Sequence, residues 1–87
     1  MTWSDVLEIV GRVLDDRSNT TGSAGRVHAT VANLWTGYYG RSFTARDVMV
    51  MMALFKIGRM EHRPENLDTY VDAIGYLALA AEEMKAP

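Results

Sequence analysis

A chain of 87 residues has room for one domain, and 48% hydrophobic with only 23% charged residues gives that domain a core and excludes intrinsic disorder. A net charge of −2 argues against the broad basic face that a nucleic-acid backbone requires, so no broad nucleic-acid binding is expected. The absence of cysteine excludes disulfides, Cys-ligated zinc and a Cys nucleophile.

The first residues, Met1 to Asp5, lack the positive start and apolar run of a signal peptide. No apolar run reaches the roughly 18 residues of a membrane span, so a cytoplasmic protein without a membrane partner is expected.

The spacing predicts an all-α chain, a four-helix bundle-like single domain over residues 1–87. Trp3, Val6, Leu7, Val10, Val13 and Leu14 recur at helical spacing and mark one face of a first helix ending near Asp16. Thr2, with Asp5 three residues on, forms a box-like cap at its start. Residues 17–25, Arg-Ser-Asn-Thr-Thr-Gly-Ser-Ala-Gly, read as a flexible loop.

A second helix carries Val27, Val31, Leu34, Trp35 and Tyr38, and Gly40 suits the left-handed position after its last turn. Thr44 with Asp47 opens a third helix that runs to about Glu61. Pro64 suits the first turn of a fourth, continuing to about Met84 with a stripe of Leu67, Tyr70, Val71, Ile74, Leu77, Ala78 and Ala81.

The third helix differs from the others. Val48, Met51, Met52 and Phe55 mark one side, and Val50, Leu54 and Ile57 mark roughly the opposite side. A helix apolar nearly all round is buried on both sides, and three neighbours in so small a bundle do not cover it. Part of this surface is therefore expected to meet a second copy, making the protein a homo-oligomer of dimeric or higher order.

Lys56 and Arg59 fall on or beside the apolar side of this helix. A cation there snorkels, pairs with a carboxylate or binds an anion, because an unpaired buried charge is costly. One reading is ion pairing with Asp72 or Asp68; the other is a clamp on a phosphate or carboxylate. Asp68, Asp72 and Tyr76, four apart, lie along one side of the fourth helix, away from its apolar stripe. Tyr76 offers a ring for an interface or for stacking, and Gly75 beside it allows close approach. Tyr39 and Arg41 supply an aromatic ring next to a cation, a workable pocket for a base and its phosphate or an ordinary interface contact. The ligand-binding candidates are thus Lys56, Arg59, Tyr39, Arg41, Asp72 and Tyr76.

No resident cofactor or metal is expected. The acidic pairs Asp5/Glu8 and Glu65/Asp68 could hold Mg²⁺, but both lie in first helical turns, where acids favour the helix dipole. His28 and His62 have no histidine or acid at zinc-helix spacing and read as surface or capping residues. No serine sits in a nucleophile-elbow context, and no catalytic residue is identified.

From Val27 onward the chain resembles a family of small phage and prophage proteins made of a domain of unknown function. The resemblance rests on Val31-Ala32-Asn33-Leu34-Trp35, Tyr39-Gly40, Thr44 to Asp47-Val48, Met51-Met52-Ala53-Leu54, Lys56, Arg59, and Tyr70-Val71-Asp72 to Gly75-Tyr76. It covers roughly two-thirds of the chain and departs before the second helix, where a Tyr-Gly-Asp and Asn-Phe pattern common in that family is replaced by Asn19 to Val27. It implies an all-helical, phage-encoded protein acting inside a bacterial host cell. A fainter likeness, of Asp72 to Leu79, is to the last metal-binding helix of MazG-type all-α nucleotide pyrophosphohydrolases. Those enzymes hold Mg²⁺ with paired acids in helix interiors, whereas Asp72 has no acid three residues away.

These readings lead to an expectation of a non-catalytic phage accessory protein that binds a nucleotide-type anion or host signalling nucleotide, sequestering it in counter-defence. The alternatives are MazG-like Mg²⁺-dependent nucleotide hydrolysis through Asp68 and Asp72, and protein-binding inhibition of a host factor through the Met-rich helix or Tyr76.

Overall fold

The computed structural model describes residues 1–84 and contains four helices: α1 (Trp3–Thr21), α2 (Ala24–Tyr39), α3 (Ala45–His62) and α4 (Leu67–Glu82). No strand occurs among the described residues. α3 and α4 form the closest-packed pair, α2 lies against α3, and α1 lies against α4 and, more loosely, α2.

Local chemistry sets the helix ends. Thr2 Oγ1 accepts from the Asp5 amide at 3.2 Å while Asp5 Oδ2 accepts from the Thr2 amide at 2.9 Å, which completes the expected capping box. Thr44 and Asp47 repeat this at the start of α3 at 3.1 and 2.9 Å. Gly40 ends α2 in the left-handed conformation, φ 71°, with its amide donating to the Thr36 carbonyl at 3.0 Å.

Two boundaries differ from the sequence expectation. The residues expected to form a loop over 17–25 are largely helical: α1 runs on to Thr21, α2 begins at Ala24, and only Gly22 and Ser23 link them. Thr20 Oγ1 donates to the Asp16 carbonyl at 3.0 Å, so this polar stretch follows the helix, and Gly22 at φ 87° is what stops it. Pro64 does not open α4. It lies in the turn before it, Asn66 is the cap, and the Tyr70 hydroxyl donates to the Pro64 carbonyl at 2.9 Å.

The core is built largely from small side chains. Ala32, Ala53, Ala73 and Ala80 are buried together with Val10, Val48, Met49 and Val71, and Gly75 is buried on α4. Small residues let helix axes approach closely, and the larger apolar groups are left at the margins. Trp3 and Leu7 of the expected α1 stripe, Leu34 and Tyr38 of the α2 stripe, and Leu67, Tyr70 and Leu77 of the α4 stripe are all exposed. On α3 the inward side is Val48, Met49 and Ala53, with Met52 and Lys56 half-buried; Met51, Leu54, Phe55 and Ile57 face outward.

Candidate functional site

Asp72 lies in the middle of α4, on the side that faces α1 rather than solvent, with only 15% of its side chain exposed. Its Oδ2 accepts from Lys56 Nζ of α3 at 3.0 Å, and its Oδ1 faces Arg17 Nη2 of α1 at 3.4 Å. One carboxylate therefore links three helices. The Lys56 bond is the tighter and more sheltered of the two, since the Lys56 side chain is 18% exposed and the Arg17 side chain 55%. The alternative of an ion pair for Lys56 is thus the arrangement in place, and its partner is Asp72.

Beside this cluster a cleft of about 780 Å³ opens between the second half of α1, the start of α2 and the inner side of α4. Val10, Leu14, Val71 and Leu79 give it an apolar floor. Tyr76, one turn beyond Asp72, meets His28 of α2 edge to face, with ring centroids 5.7 Å apart and planes at 76°. His28 Nδ1 lies 2.7 Å from the Ala24 carbonyl, so that nitrogen carries a proton, and in the neutral ring Nε2 is left as an acceptor. Gly75 is buried here, and a methyl at its position would lie 3.5 Å from Leu14 Cδ2. The volume falls within the range of small-molecule sites. Its charged lining is Asp15, Asp72 and Glu82 against Arg17, with Lys56 holding Asp72 from the α3 side.

Of the six candidates, the fold brings Lys56, Asp72 and Tyr76 to this region and puts the other three elsewhere. Arg59 is exposed on the outward side of α3, its guanidinium carbon 5.9 Å from the centroid of the Phe55 ring. Tyr39 belongs to an aromatic corner where α2 turns into α3. Its ring meets Tyr38 at 4.9 Å and Phe43 at 6.2 Å, and Phe43 in turn meets Trp35 at 5.7 Å. Tyr38 and Tyr39 are both exposed, although Tyr38 falls on the apolar stripe of α2. Arg41 follows that corner and lines a shallow depression with Arg46 and Asp47.

Two cleft residues were not singled out from sequence as site candidates. Arg17 follows Val10 and Leu14 at seven and three residues, so the α1 period reaches it once the helix is carried past Asp16. His28 precedes Val31, Ala32 and Trp35 by three, four and seven residues, which puts it on the inward face of α2. The carboxylate pairs considered for Mg²⁺ stay at helix ends: Asp5 caps α1, and Glu65 pairs with Arg63 at 3.3 Å. Among the described residues no three His, Asp or Glu side chains gather as a metal site.

A family model described as "Domain of unknown function (DUF6378)" matches residues 5–84. The "Gene 55 protein" of Mycobacterium phage L5 is 40% identical over 72 residues, which are 82% of this chain and 46% of that protein. The chain thus spans about half the length of that curated relative. No solved structure matches.

Proposed function

The chain belongs to the DUF6378 family, and we propose that it is a non-catalytic phage accessory protein whose cleft binds a small nucleotide-class ligand. The observation that carries this reading is the ring pair Tyr76–His28 standing next to Arg17 and the Lys56–Asp72 bond on one wall of an apolar-floored cleft. A flat base stacks on or wedges beside such rings, and the Arg17 guanidinium, one nitrogen of which meets Asp72, brings a cation to the cleft for phosphate oxygens.

The charge balance sharpens the ligand class. Asp15, Asp72 and Glu82 oppose a dense polyanion, so a triphosphate is a poor fit. A ligand with one diffuse negative charge per phosphorus and a large flat surface, such as a phosphodiester-linked dinucleotide or cyclic oligonucleotide, is the better one. Sequestration of such a signal in counter-defence is the use this reading gives the protein. Hydrolysis has weaker support: Asp72 already meets two cations, and among the described residues no cluster of acids stands with it to hold Mg²⁺.

Isothermal titration against mononucleotides, linear dinucleotides and cyclic oligonucleotides tests the proposal. Phosphodiester ligands should bind, and Tyr76→Ala and Arg17→Ala should each weaken binding by about tenfold or more. Silence across the panel from a folded sample rejects it, and pyrophosphate release abolished by EDTA would replace it with the hydrolase reading.

A further inference from the structure

The outward face of α3 has no use in the cleft or in the core. Met51, Leu54, Phe55 and Ile57 are exposed there, Leu54 at 60% and Phe55 at 56%. Met51, Leu54, Phe55 and Gly58 follow one another at steps of three, one and three residues, which makes one continuous stripe along the helix. Gly58 lies inside that stripe, and a Cβ built there would meet nothing within 4 Å. The monomer therefore gives no steric reason for a residue that lowers helix propensity by about 1 kcal/mol relative to Ala.

We infer that this face is a homodimer interface in which α3 of two copies pack antiparallel about a twofold axis passing between Leu54 and Phe55. A second copy is the occupant because the stripe is complementary to itself when reversed. Leu54 then meets Phe55 of the second copy, and the thioether arm of Met51 enters the notch over Gly58. The polar groups at the two ends of the stripe fit the same register. Asp47 at the N-terminal end of the stripe comes opposite His62 at the C-terminal end, one turn from Arg59. Asp47 Oδ2 is taken by the Thr44 amide, which leaves Oδ1 for this contact. Antiparallel packing also sets the two α3 dipoles head to tail. Arg59 lies at the rim with its guanidinium over the Phe55 ring.

Sedimentation equilibrium from the low micromolar to the hundred-micromolar range tests the inference. The wild type should reach twice the chain mass. Leu54→Glu and Phe55→Glu should each weaken dimerisation by more than about 100-fold with unchanged helix content, since both side chains are exposed in the monomer. The native chain has no cysteine, so single cysteines report the register cleanly. Leu54→Cys, next to the axis, should form an interchain disulfide under mild oxidation, and Arg46→Cys, far from it, should not. A wild type that stays monomeric throughout, a dimer indifferent to both Glu variants, or crosslinking at Arg46→Cys in place of Leu54→Cys overturns the proposal.

Discussion

Asp72 is held by two cations that are not equivalent. Lys56 is the sheltered partner, so removing the carboxylate strands an ammonium group in a site that water reaches poorly. Asp72→Ala should therefore destabilise the fold by about 1–3 kcal/mol. Lys56→Met keeps the packing of the stem and leaves Asp72 with Arg17, and it should cost less than about 1 kcal/mol. Urea unfolding followed by circular dichroism measures both; equal losses would mean that Arg17 adds nothing to the hold on Asp72. Gly75 gives a second contrast in the same wall. A methyl there makes only ordinary contact with Leu14 and Val10, so Gly75→Ala should be neutral or stabilising by up to about 1 kcal/mol in the same measurement. The Lys56–Asp72 pair was legible in the sequence as one of two readings, because an acid on the next helix, Asp72 or Asp68, relieves a cation beside an apolar helix face. The pairing did not reveal that Arg17 shares the carboxylate, because the polar run after Asp16 hides a helix whose face is set by Val10 and Leu14.

At the scale of single helices, the capping residues were the most readable signals. A Thr with Asp three residues on satisfies two end amides reciprocally, wherever in a fold it occurs. Thr44→Ala should accordingly cost about 1 kcal/mol, and α3 should fray at Ala45–Asp47 in amide exchange before the rest of the bundle opens. Gly22 matters in another way. Its φ of 87° with ψ −169° is a conformation open to glycine alone, and it permits the sharp reversal between α1 and α2 that closes one end of the cleft. Gly22→Ala should destabilise by more than about 1 kcal/mol, whereas Gly25→Ala should cost less. Differential scanning calorimetry of both variants checks this. Helix faces were harder to read than helix ends. Periodicity identifies an apolar stripe but not which part of it meets a neighbour, and here the alanines of α3 and α4 take the closest contacts while Leu34, Tyr38 and Leu77 stay outside.

The whole molecule carries the consequence of that choice. A core of alanines, valines and one methionine packs α3 closely on α4, but it buries little apolar area per residue. The radius of gyration is 13.8 Å, against about 12 Å for a compact globule of this length, and the long dimension is 43 Å. Large apolar groups that a tighter bundle would have enclosed remain on the outside, most continuously along α3. If two copies cover that face, folding and association are linked, and stability depends on concentration by mass action. The thermal midpoint of the wild type should then rise by roughly 3–5 °C for each tenfold increase in protein concentration, the value for a two-chain unit of this size. Leu54→Glu, confined to the monomer, should melt at a midpoint that does not change with concentration and that lies below the wild type at high concentration. A flat wild-type curve over two decades of concentration would mean that the monomer is stabilised by its small-residue core alone, and that the outward face of α3 contributes nothing to the folded state.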